Sequence, residues 1–90
     1  MTDKSQTEPT RTLTVAAVVN DPYDGLIRTL CEAQRFGYAL ETLSLVPLTP
    51  QSWQMALSIR VPVESDPNFV RLRLTRHGAV VAANAEMEVA

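Results

Sequence analysis

Ninety residues with 46% hydrophobic and 20% charged side chains describe one small globular domain, and a chain this short buries only about 60 to 65% of the surface it exposes when unfolded. Eight Lys and Arg against ten Asp and Glu leave a net charge of −2, which gives nucleic acid or an anionic membrane no long-range attraction. One cysteine, Cys31, excludes an internal disulfide; with no leader pattern and no apolar run near the roughly 18 residues of a membrane span, a cytoplasmic protein is expected.

Residues 1–10 (MTDKSQTEPT) are polar and aperiodic and contain Pro9, the composition of a disordered tail. The methionine at position 1 suggests a complete short polypeptide, with the folded domain over 11–87. In 12–19, Leu13, Val15, Ala17 and Val19 alternate with Thr12, Thr14, Ala16 and Val18, which predicts a first strand with one buried face. Asn20, Asp21 and Pro22 end it. Over 24–36 the recurrence of Leu26, Leu30 and Ala33, flanked by Ile27 and Phe36 and opposed by Arg28, Thr29, Glu32 and Arg35, predicts an amphipathic helix. Asp24 is its expected N-cap and Gly37 the left-handed residue after its end. Cys31, at the edge of the apolar face, is expected to pack.

A second strand is predicted over 38–47, with Leu43 and Leu45 alternating with Thr42, Ser44 and Val46. A loop follows over 47–52 (PLTPQS), then a third strand in which Trp53, Met55, Leu57, Ile59 and Val61 share a face. These two form an antiparallel hairpin. In 64–78, Ser65, Asp66 and Pro67 read as a helix start, while Val70, Leu72 and Leu74 alternate as a strand would. The helix is preferred because Val70, Leu74 and His77 share a helical face and the topology needs a crossover. A short strand over 80–87 closes the chain. The order β-α-β-β-α-β defines an α+β fold of ferredoxin-like type, an antiparallel four-stranded sheet with both helices on one face and strands one and three in the middle.

The chemistry-bearing residues are few. His77 is the single histidine and reads as packing or capping rather than as a base. No CxxC, HxxxH or acidic cluster supplies metal ligands, and no cofactor is expected. The central strands lack the aromatic stacking residues of RNA-binding domains of this topology. Arg71, Arg73 and Arg76 form a basic patch, either a solvated face or a contact for an acidic protein surface. The loop Asn20, Asp21, Pro22, Tyr23, Asp24, Gly25 precedes the first helix, whose unpaired N–H groups and dipole suit a carboxylate such as that of a free amino acid, with Asn20 and Asp24 receiving its ammonium group. The alternative is a plain strand-to-helix turn.

The segment NDPYDGLIRTLCEAQRFGYALETLSLVP resembles the ACT domain, and specifically the small regulatory subunits of acetolactate (acetohydroxyacid) synthase, with Leu26, Arg28, Gly37, Tyr38, Glu41 and Leu43 in register with that group's pattern. SDPNFVRLRLTRHGAVVAANA is similar to its second helix and last strand. The resemblance implies a side-by-side homodimer, a non-catalytic role in activating a thiamine-diphosphate-dependent catalytic large subunit in branched-chain amino-acid synthesis, and a small amino-acid effector. The implied effector residues are Asn20, Asp21, Asp24, Gly25 and Leu26, with Ala39 from the neighbouring subunit. Asp24 stands in register with the usual glycine, and Ala39 where an asparagine is expected; these departures imply a subunit without valine feedback. A stand-alone amino-acid sensor is the alternative. An acylphosphatase-like enzyme would need an arginine-bearing anion loop that this chain does not show.

Overall fold

A computed structural model describes residues 9–76 and 80–88. Six elements follow in order: β1 (Thr10–Val19), α1 (Pro22–Arg35), β2 (Ala39–Thr49), β3 (Ser52–Pro62), α2 (Pro67–Thr75) and β4 (Val80–Met87). The sheet order is β2-β3-β1-β4 with every neighbouring pair antiparallel, and both helices cover one face. This is the ferredoxin-like βαββαβ fold expected from the residue pattern.

The alternation in β1 and β3 decides where the core lies. The two strands pair through ten consecutive positions, from Thr10 opposite Pro62 to Val19 opposite Trp53. Leu13, Val15, Ala17 and Val19 therefore share a face with Met55, Leu57, Ile59 and Val61, all eight of them buried. The helices add only Ala33, Val70 and Leu74 to the buried apolar set. At about 1.5 to 3 kcal/mol for each large aliphatic side chain removed from water, the central strand pair supplies most of the hydrophobic stabilisation.

Several boundaries and faces differ from expectation. Helix α1 starts at Pro22, two residues before the predicted start, with Asp21 rather than Asp24 as N-cap. Pro22 is the reason: a proline at the first helical position has its φ preset and lacks an N–H that would be unpaired there anyway. The buried line of α1 runs through Gly25, Thr29 and Ala33. Thr29, placed opposite the apolar face by sequence, is fully buried, while Ile27 and Cys31 are exposed. Small residues at that spacing let the helix backbone approach the sheet, which a line of leucines would hold off. Gly37 ends the helix with φ at +77°, as expected.

Strand β2 continues through Pro47 to Thr49, so the hairpin loop is shorter than predicted. Pro47 is accommodated because β2 is an edge strand whose outer N–H groups have no ladder partner to lose. Helix α2 forms as preferred, capped by Asp66, whose carboxylate accepts from the Asn68 N–H at 3.0 Å. The expected helical position of His77, like the tail over 1–8, lies outside the described residues. Thr10, assigned to the tail by sequence, is the first residue of β1, and Pro9 accepts from the Val63 N–H at 3.2 Å.

Gly25 sits so close to β1 that a Cβ there would lie 2.8 Å from Val19 Cγ1 and 2.9 Å from Val19 Cβ. Val19 is fully buried and cannot swing away. Gly25→Ala therefore loses about 1 to 3 kcal/mol through overpacking, despite alanine's better helix propensity. Urea unfolding measures this as a lower midpoint at unchanged slope; an unchanged or raised midpoint would show that α1 can lift off the sheet without cost.

Candidate functional site

The loop expected to receive a ligand is closed by its own side chains. Asp21 Oδ1 accepts hydrogen bonds from the N–H groups of Tyr23 at 3.0 Å and Asp24 at 3.1 Å, and the Gly25 N–H donates to the Asp21 carbonyl at 2.9 Å. Pro22 has no N–H to offer. The N–H groups of Tyr23, Asp24 and Gly25 are thus used, and the carboxylate that takes two of them occupies the position an incoming anion would take. Asp24 accepts from Arg28 Nε at 2.7 Å. That hydrogen bond, with the charge of Asp24, raises the exposed Arg28 guanidinium above its ordinary value, with desolvation opposing.

The other predicted site residues are spread out. Asn20 is exposed, Gly25 is buried against Val19, and Leu26 is half-buried against the core. Ala39 begins β2. Because β1 and β2 each run antiparallel to β3, they are parallel to each other, and the start of β2 lies at the opposite end of the sheet from the loop that ends β1. Within one chain, Ala39 and the loop do not meet.

What the fold brings together instead is centred on Arg73. Its guanidinium carbon lies 4.3 Å from the centre of the Phe36 ring and 4.4 Å from that of Phe69, and Nη1 donates to the Tyr38 hydroxyl at 3.2 Å. Phe69 precedes Arg73 by one helical turn on α2, Phe36 caps the end of α1, and Tyr38 leads into β2. Three segments thus hold one cation, each ring contact contributing about 0.5 to 2 kcal/mol. The i, i+4 spacing of Phe69 and Arg73 is the one sequence signal for this arrangement; the parts played by Phe36 and Tyr38 depend on the packing of α1 against α2.

Two clefts open on either side of Arg73. The larger, about 780 Å³, is lined by Tyr38, Ala39, Glu41, Thr10 and Arg60 among others. Arg60 is occupied there: it donates to Thr10 Oγ1 at 3.1 and 2.9 Å, to the Thr10 carbonyl at 3.0 Å and to Thr12 Oγ1 at 3.1 Å. Glu41 and Glu88 stand 3.9 and 3.7 Å from it. The smaller cleft, about 400 Å³, runs between α1 and α2 and contains Arg28, Arg35, Arg73 and Arg76. Cys31, expected to pack, is exposed and lines this same groove. Among the described residues, no group of three His, Cys, Asp or Glu side chains is placed to hold a metal ion, and no helix is long and apolar enough to cross a membrane.

The chain is similar in structure to the C-terminal domain of the MgtC protein from Mycobacterium tuberculosis, with a TM-score of 0.72 and 10% sequence identity, covering 98% of this chain and 94% of that domain. At that identity the likeness shows the fold alone. No protein-family model and no curated protein matches the sequence. The resemblance to ACT-domain subunits of acetolactate synthase is therefore overturned: no family model supports it, and the structural neighbour belongs to a different family. The residues that carried it explain why it arose. Gly37 supplies the left-handed helix end, Leu26 packs on the core, Tyr38 packs beside it and anchors Arg73, and Leu43 pairs with Leu57 on the helix side of the sheet. Each answers a demand of the βαββαβ fold rather than of a family's ligand.

Replacing the cap tests how the closed loop contributes. Asp21→Ala exposes two unpaired donors and should cost about 1 kcal/mol in chemical unfolding, whereas Asp21→Asn should retain most of the stability. Equal losses for both would show that the charge, not the accepted hydrogen bonds, is what matters.

Proposed function

We propose that the chain is a non-catalytic binding module that works as a pair, two copies joined along β2. The observation that carries this reading is the free edge of that strand. Among the described residues β2 pairs with β3 on one side and with no strand on the other, yet exposes Leu40 at 48%, Leu43 at 38%, Val46 at 49% and Leu48 at 50% of their surface. Long apolar edges invite strand pairing, and lone domains usually blunt them with lysine. β2 carries one charge, Glu41, at a register shift.

The sequence of the edge also suits a two-fold axis. In LETLSLVPL the leucines Leu40, Leu43, Leu45 and Leu48 are placed symmetrically about Ser44. An isologous interface requires a surface complementary to itself. Antiparallel pairing with Ser44 opposite its own copy sets Leu43 against Leu45 and Leu40 against Leu48 in both directions, extending the four-stranded sheet to eight strands.

A binding rather than catalytic role is supported by the chemistry on offer. Cys31 and His77 are each the single member of their kind, and among the described residues Cys31 stands on the outer side of α1 in a groove of arginines whose one carboxylate, Glu32, faces Arg35 at 3.7 Å. A free, exposed thiol suits a reducing compartment, and on that ground we place the protein in the cytoplasm.

In a Cys31→Ser background, Ser44→Cys should form an intermolecular disulfide under mild oxidation, because the axis brings the two Cα atoms within about 4.5 to 5.5 Å. Leu48→Cys should not. Val46→Lys should convert the dimer seen by light scattering into a monomer. A monomeric parent protein, or equal cross-linking at positions 44 and 48, would remove the proposal.

A further inference from the structure

We propose that the groove between α1 and α2 binds a small organic anion, a carboxylate or phosphate head on an apolar body. The site lies on the helix side of the sheet and uses no residue of β2, so it stands apart from the pairing of two copies.

The distribution of charge is the first reason. The chain has eight cations and a net charge of −2, yet four of the eight, Arg28, Arg35, Arg73 and Arg76, line a single groove of about 400 Å³. Two come from α1, seven residues apart, a spacing that puts them on one helix face, and two from the end of α2, Arg73 in its last turn and Arg76 as its C-cap. Two carboxylates answer them. Asp24 holds Arg28 at 2.7 Å and Glu32 stands 3.7 Å from Arg35. Arg73 and Arg76 have no carboxylate partner among the described residues. Like charges gathered this way repel one another, and a bound anion relieves that repulsion.

The second reason is preorganisation. A guanidinium has five N–H donors in a rigid fork, suited to two oxygens of a carboxylate or phosphate. Arg73 spends one donor on the Tyr38 hydroxyl, and the two rings that flank it restrict the plane of the fork without consuming any other. The entropy of positioning this long side chain has been met by the fold before a ligand arrives. Beside it, Ile27 and Phe36 line the same groove, and Ile27 is exposed. They offer apolar surface to the body of a ligand whose head lies on Arg73 and Arg76.

The test is an NMR titration of the labelled full chain at fixed ionic strength with phenyl phosphate, benzoate and inorganic phosphate. The expected result is saturable shifts at the Ile27 and Cys31 amides and at the Nε groups of Arg73 and Arg76, with phenyl phosphate bound more tightly than inorganic phosphate. Arg73→Gln should weaken binding about tenfold or more. Arg71→Gln, which removes the same charge from the same helix outside the groove, should leave it unchanged. Arg76→Gln carries the comparison if the spectrum of Arg73→Gln shows a disturbed fold. Shifts that never saturate, an equal loss in Arg71→Gln, or equal affinity for the three probes would overturn the proposal.

Discussion

The antiparallel register of β1 and β3 is the constraint on which the rest of the structure depends. Side chains alternate across a strand, so a slip of one residue would move Leu13, Val15, Ala17 and Val19 to the open face and bring Thr12 and Thr14 inside. With the register fixed, the helices have one apolar surface to cover, and they can do so with little apolar mass of their own. Val19 then sets how closely α1 approaches, through Gly25, and that in turn decides where Phe36 emerges at the end of the helix. The position of the Arg73 guanidinium is therefore fixed through packing that begins at the far end of β1.

Much of this was legible in the residues. Strict alternation located β1 and β3, the proline and capping residues located both helix starts to within a few positions, and β4 was found at its observed limits. The failures share a cause. Hydrophobicity assigned the buried face of α1, but the sheet selects for small size where the backbones come close, so Thr29 went inside and Ile27 stayed outside. Proline was read as the end of β2, a rule that holds for central strands and relaxes at an edge. The ligand loop was drawn from unpaired helix donors, and the carboxylate two residues ahead of Tyr23 had already taken them. The Arg73 arrangement needs three segments that only the tertiary fold unites.

The arrangement of charge adds to this. Every cation after Lys4 is an arginine, and the two kinds of environment in which they stand differ. Arg60 is enclosed by hydroxyls and backed by two carboxylates, which fixes a partly buried charge at the end of the sheet with most of its donors engaged. Arg73 is held by ring faces, which stabilise the cation while leaving most of its hydrogen-bonding capacity open. The same side chain serves as a tie in one place and as an open fork in the other, and the difference lies in whether oxygen or carbon surrounds it.

The link between the first and last strands has a topological result. The Glu88 N–H donates to the Thr12 carbonyl at 2.9 Å, its carboxylate accepts from the Thr12 N–H at 2.6 Å, and Arg11 donates to the Glu88 carbonyl. Entry into β1 and exit from β4 are thereby clamped side by side at one corner of the sandwich. A unit tied off in this way can be spliced into a surface turn of another protein, or strung in tandem, with almost no span for the joining segments to bridge.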